Sequence, residues 1–152
     1  MDTIFAQATA QGRAGVSVLR ISGPMTKEIL LKVVGAVPAP RRASVRNIVD
    51  DSGELIDSGI VLYFESPNSF TGEEVAELQL HGSIAVVRAV LALLGRFPNT
   101  RSAEPGEFTR RALENGRLDL TQVEGLADLI ESETEAQRKQ AQNVLSGALG
   151  RR

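Results

Sequence analysis

The chain has no cysteine and no tryptophan, and only one tyrosine, one histidine and two methionines among its 152 residues. Without cysteine there is no disulfide framework, no thiolate nucleophile and no cysteine-ligated metal. The single histidine, His81, lacks carboxylates at ligand spacing and so supports no recognisable metal site. Aromatic residues make up 4%, and 17 basic against 19 acidic residues leave a formal charge of −2. A stand-alone nucleic-acid binder carries a basic surplus and aromatic stacking platforms, and this composition has neither. The local clusters Arg41, Arg42, Arg46 and Arg110, Arg111 read as solvated faces. No apolar run approaches the roughly 18 residues that a membrane span requires, and no signal-peptide core is visible, so a cytoplasmic location with no membrane partner is expected. No Gly-Lys pair occurs, which removes the phosphate loop, and Gly-x-Ser-x-Gly is missing too. The glycine-rich stretch at Gly12–Gly15 precedes a strand, where a phosphate loop would follow one.

What is present is ordinary for a globular protein, with 42% hydrophobic and 24% charged residues. The length suits one domain, or one domain and part of another. "GVSVLRIS" (Gly15–Ser22) alternates, with Val16, Val18 and Arg20 on one face and Ser17, Leu19 and Ile21 on the other. "MTKEILLKVVG" has helical spacing and a terminal glycine. Val45–Val49 and Ile56–Phe64 read as strands joined by a turn-rich "DDSGE", and Val75–His81 as a further strand. Ile84–Phe97 predicts a largely buried helix, and "AEPGEFTRRALENG" a short one. Asp119 is a predicted N-cap, with Gln122 as its capping-box partner, for a long helix whose apolar positions include Leu120, Val123, Leu126, Ala127 and Ile130. That apolar face fades after Glu131 and returns at Val144, Leu145 and Leu149. The helix is therefore expected to project from the body, and the chain to be a stretch of a longer one whose remainder packs on it.

The stretch "SFTGEEVAELQLHGS" (Ser69–Ser83) puts Glu77 in the middle of a strand, on one face with Val75, Gln79 and His81. By pattern alone this is a polar sheet face turned to water. Arg20 reads as a snorkelling edge residue and Arg117 as a surface loop residue. Periodicity does not separate a site from a surface here.

Four segments change the weighing: "DTIFAQATAQGRAGVSVLRISG", "PNSFTGEEVAELQLHGS", "AEPGEFTRRALENGRLDLTQVEGLADLIE" and "LSGALGRR". Together they closely resemble the bacterial tRNA modification GTPase family MnmE, also called TrmE, over essentially the whole chain. The resemblance implies an α+β fold with a mixed or antiparallel sheet and packed helices, like the folate-binding aminomethyltransferases. It implies a tetrahydrofolate-binding, dimerising domain over 1–118. The first helix of a helical domain would follow over 119–152, ending before the G domain. It further implies a tetrahydrofolate derivative (5-formyl- or 5,10-methylene-tetrahydrofolate) as cofactor, with GTP, Mg2+ and K+ in full-length members. The implied partners are a second copy of the chain, an MnmG (GidA)-type flavoprotein and, through the larger complex, tRNA modified at carbon 5 of the wobble uridine. The family's folate-contacting residues fall on Arg20, Glu77 and Arg117. Two departures stand out: the family commonly has lysine at Arg117 and a second glycine at Ser83. The family's C-terminal tail lies outside the 152 residues. A purely structural dimerisation domain is the rival reading.

Overall fold

A computed structural model describes residues 1–8, 15–81, 83–118, 125 and 127–138. Six strands form one sheet: β1 (Thr3–Gln7), β2 (Val16–Ser22), β3 (Ser44–Val49), β4 (Leu55–Phe64), β5 (Val75–His81) and β6 (Thr100–Ser102). Their order is β3-β4-β5-β2-β1-β6. All neighbours are antiparallel except β1 and β6, so the sheet is mixed and the fold is α+β, as expected. Three helices, α1 (Thr26–Val33), α2 (Ile84–Leu94) and α3 (Glu107–Glu114), connect and cover it, and residues 127–138 are also helical.

The period-two pattern divides the sheet into two faces. On the inner face Leu19 and Ile21 of β2, Val61 and Tyr63 of β4, and Ala76, Leu78 and Leu80 of β5 are buried with Ile29, Leu30 and Val33 of α1. Val87, Val90, Leu93 and Leu94 of α2 complete this core, and each such side chain contributes roughly 1.5–3 kcal/mol on leaving water. The outer face is only partly covered. There Phe108 of α3 packs on Ile4 and Ala6 of β1, with Phe70 and Ala103 at the margin, and the outer side of β4 and β5 stays open.

Several boundaries differ from the sequence reading. Strand β1 carries no alternation because all five residues of "TIFAQ" are buried, its two faces meeting separate apolar clusters. Strand β6 has three residues, too few for a period to show. Helix α2 ends at Leu94, and only one stripe of it is buried, so it lies on the sheet and is not immersed in the core. Its cap is Ser83, whose hydroxyl accepts from Val86 N at 3.1 Å. The serine that departs from the family pattern thus starts a helix.

The Gly12–Ala14 stretch, Asp119, Leu120, Gln122, Val123, Leu126, Val144, Leu145 and Leu149 lie outside the described residues. Helical residues 127–138 do not simply project from the body, because Ala136 is buried and Glu133, also buried, accepts from Phe108 and Thr109 of α3. The solvated-face reading also fails for Arg111, which is 7% exposed; Arg110, Arg41 and Arg42 are exposed as expected. Among the described residues, no helix is long and apolar enough to cross a membrane.

Candidate functional site

Arg20 and Glu77 are register partners across the central β2–β5 pair, both on the outer face. The guanidinium Nε and Nη2 each lie 3.4 Å from Glu77 Oε1. Both contacts fall on one oxygen, which leaves the second carboxylate oxygen outside the pair. The Arg20 guanidinium carbon is 4.7 Å from the centre of the Phe70 ring and 5.5 Å from that of Phe108. A planar cation against aromatic faces is attracted by their quadrupoles, so the two rings hold Arg20 in place. On the other side of Glu77 its register partner is Leu62 of β4, flanked by Ile60 and Phe64, all at least partly exposed. The result is a half-buried carboxylate set in an apolar floor, with a fixed arginine beside it.

Phe70 is carried by the loop between β4 and β5, and three residues, one on β2 and two at the end of α3, grip that loop. Ser22 of β2 hydrogen-bonds to Thr71 Oγ1 at 2.7 Å and donates to Glu73 at 2.8 Å. Asn115 Nδ2 donates to Thr71 O at 2.8 Å, and Arg117 Nε to Ser69 O at 3.0 Å. Helix α3 ends in a Schellman turn, with Arg117 N bonded to Ala112 O and Gly116 N to Leu113 O, which aims Arg117 at the loop. Gly72 sits at the crossing: its φ is +83°, and a Cβ there would come 2.9 Å from the Asn115 Cβ. Only glycine meets both demands. Arg20 and Glu77 are thus brought together, whereas Arg117 reaches the site's border through the residue next to Phe70.

Beneath the loop lies a dense ion-pair network. Arg111 contacts Asp2 at 2.6 Å, Glu73 at 3.0 Å and Glu107 at 3.2 Å. Arg101 forks onto both oxygens of Glu107, at 2.8 and 2.6 Å. Burial by itself would raise the Glu107 carboxyl. The Arg101 hydrogen bonds, the Glu104 N–H and the charges of Arg101 and Arg111 outweigh that and hold it near 2. The Arg101 hydrogen bond likewise holds Asp2 below its ordinary value, against burial and with help from Arg111. This network ties the β1 end, the Phe70 loop and α3 into one unit.

Glu133 approaches from the 127–138 helix. Its Oε1 accepts from Thr109 N at 3.0 Å and Thr109 Oγ1 at 2.9 Å, and its Oε2 from Phe108 N at 3.2 Å. Burial raises its carboxyl above the usual range, with these donors and the Arg20 charge pulling the other way. At the far end of β5, Asp57 accepts from His81 N at 2.9 Å and lies 2.9 Å from its Nδ1. Among the described residues, no group of three or more His, Cys, Asp or Glu is placed to hold a metal ion.

Phe70, Phe108 and Glu133 were not singled out from the sequence. A signal existed for the first two: in a chain with five phenylalanines, both stand in polar, glycine-containing segments as Phe-Thr pairs, away from any apolar run.

The family model described as GTP-binding protein TrmE N-terminus matches residues 3–117. The chain is 61% identical over 150 residues to the tRNA modification GTPase MnmE of Ruegeria pomeroyi and 59% identical over 150 residues to that of Roseobacter denitrificans. Each of these alignments covers 99% of this chain and 35% of the relative. With the tRNA modification GTPase MnmE of Dinoroseobacter shibae the identity is 57% over 152 residues, covering 100% of this chain and 35% of the relative. The chain spans about a third of the length of these curated relatives.

Proposed function

This chain belongs to the TrmE N-terminal family, and on that premise we propose that it binds a tetrahydrofolate derivative on behalf of a tRNA-modifying protein. The bound form is 5-formyl- or 5,10-methylene-tetrahydrofolate, and its one-carbon unit serves modification of a wobble uridine at carbon 5. The chain works as a cytoplasmic homodimer with an MnmG-type flavoprotein, and tRNA is held by the larger complex. Hydrolysis of GTP, with its Mg2+ and K+, is not assigned to these residues, which contain no Gly-Lys pair.

The observation that carries this reading is the half-buried Glu77 carboxylate between Arg20 and the apolar floor of Ile60, Leu62 and Phe64. A pterin edge offers a ring N–H and an exocyclic amine side by side, and a carboxylate accepts both as it would a guanidinium. The floor suits the flat ring. Arg20 stands beside Glu77 as a fixed positive charge, and Arg117 suits the carboxylates of the glutamate tail. These residues fit the ligand's chemistry, and the folate supplies the transferable carbon.

The test is calorimetric titration of the folded chain with 5-formyltetrahydrofolate, with sedimentation to read its mass. Saturable binding is expected. A folded dimer that takes up no folate would overturn the proposal and leave the dimerisation reading in its place. Tight, strongly salt-dependent tRNA binding by the chain alone would point elsewhere.

A further inference from the structure

Helix α3 lacks a cap of its own. Its N-cap is Gly106, at φ 73° and with no side chain to offer. The acceptors come from far along the chain: Glu133, 25 residues from Phe108 and 24 from Thr109, receives both of their backbone N–H groups and the Thr109 hydroxyl. Gln137 adds a clasp, accepting from Gly106 N at 3.2 Å and donating to Glu104 O at 3.0 Å. Ile130 lies against Gly106, within 3.4 Å of where a Cβ would stand. A carboxylate at a helix N-terminus is favoured by the macrodipole, and three donors offset the cost of burying it.

Phe108 is the residue that joins the two regions. Its backbone N–H is held by Glu133, while its fully buried ring lies over Arg20. Arg20 in turn is the partner of Glu77. The chain of contacts from the 127–138 helix to the candidate folate carboxylate therefore has three links, each a direct contact. We propose that Glu133 is a positioning residue for the Arg20–Glu77 site, so that folate occupancy and docking of the 127–138 helix stabilise each other. This inference rests on the folate reading given above. When the helix leaves, the buried N–H groups of Phe108 and Thr109 lose their acceptors. The first turn of α3 loosens, and Arg20 loses one of its two rings. By linkage, a ligand that needs Arg20 in place favours the docked helix to the same degree.

The experiment uses the full chain as wild type, Glu133→Gln and Gln137→Ala. Glutamine keeps the shape of Glu133 but sets an NH2 against one of the donors. The readouts are the Kd for 5-formyltetrahydrofolate well below the melting temperature, and amide exchange of 104–110 and 127–138 with and without ligand. Glu133→Gln is expected to weaken folate binding about fivefold to tenfold and to speed exchange at 106–110 without ligand. In wild type, folate is expected to slow exchange in 127–138, and that slowing is expected to vanish in the variant. An unchanged Kd in folded Glu133→Gln would show a purely structural cap and overturn the proposal. So would exchange in 127–138 that ignores folate in a wild type that binds it. Should Glu133→Gln fail to fold, Gln137→Ala carries the same expectations with a smaller change. A wild type that binds no folate overturns the folate reading. Ligand-free exchange at 106–110 then decides the coupling of helix to α3, supporting it where exchange speeds up and overturning it where it does not.

Discussion

Replacing Glu107 with glutamine tests whether the ion-pair network under the site holds by charge. Glu107 is 2% exposed, is forked by Arg101, touches Arg111 at 3.2 Å and accepts the Glu104 N–H at 2.9 Å. Its carboxyl falls from 4.5 to about 2 in the folded chain. A depressed folded value means that the unfolded state binds the proton more tightly. The stabilisation is therefore complete above pH ~4.5 and is lost as the pH falls toward about 2. That shift corresponds to about 3 kcal/mol, or roughly 2–3 kcal/mol once the solvent around the partly exposed Arg101 is allowed for. Glu107→Gln should cost that amount at pH 7, because Arg111 stays buried with one partner fewer. The assay is urea unfolding of both proteins from pH 7 down to pH 2.5 or so. Their stabilities should converge as the pH drops, since the wild-type carboxyl then also becomes neutral; Asp2, depressed in both, lowers the two curves together. A gap that persists unchanged to the acid end would refute the charge argument and leave only a steric one. A gap under about 1 kcal/mol at pH 7 would mean that solvent screens the network.

Glu77→Gln should leave the strand folded but weaken 5-formyltetrahydrofolate by roughly tenfold to a hundredfold, since an amide cannot accept both donors of the pterin edge; unchanged affinity in a titration would return this strand to a solvated sheet face. Arg20→Lys should weaken folate comparably, because an ammonium keeps the charge but not the planar stack on Phe70 and Phe108; affinity equal to wild type would show that only a point charge is needed. Gly72→Ala should destabilise by more than about 1 kcal/mol, from a positive φ and the close approach of Asn115, and a thermal melt that does not move would remove that argument. Ser83→Ala should cost about 1 kcal/mol by uncapping α2, again read by thermal melting.

Much of the inner core was legible in the chain. The alternation in "GVSVLRIS" set Leu19 and Ile21 on the face opposite Arg20, and the structure buries those two while leaving Arg20 partly exposed. Glu77 stands out in the sequence because a carboxylate breaks the expected composition of a strand. What alternation could not do was say what stands above that polar face. An outer face turned to water and one roofed by a loop and a helix have the same period. The roof here is Phe70 and Phe108, 50 and 88 positions along from Arg20, and both are invisible to any local window. Arg111 misled for the same reason: a doublet of arginines on a short helix looks solvated until Asp2, from the other end of the chain, arrives beside it.

Local sequence therefore determined four of the six strands, the helices α1, α2 and α3, which residues share a face on β2 and β5, and the absence of a phosphate loop. Those depend on near neighbours and on composition, which the chain states directly. Tertiary structure alone decided that Arg20 faces Glu77 across the β2–β5 register, that Arg117 reaches the Phe70 loop, and that α3 takes its cap from Glu133. The physical reason is that pairing, desolvation and capping are satisfied wherever the fold brings a donor to an acceptor. Separation along the chain adds only a slowly growing entropy to that account and leaves no local trace in the residues themselves.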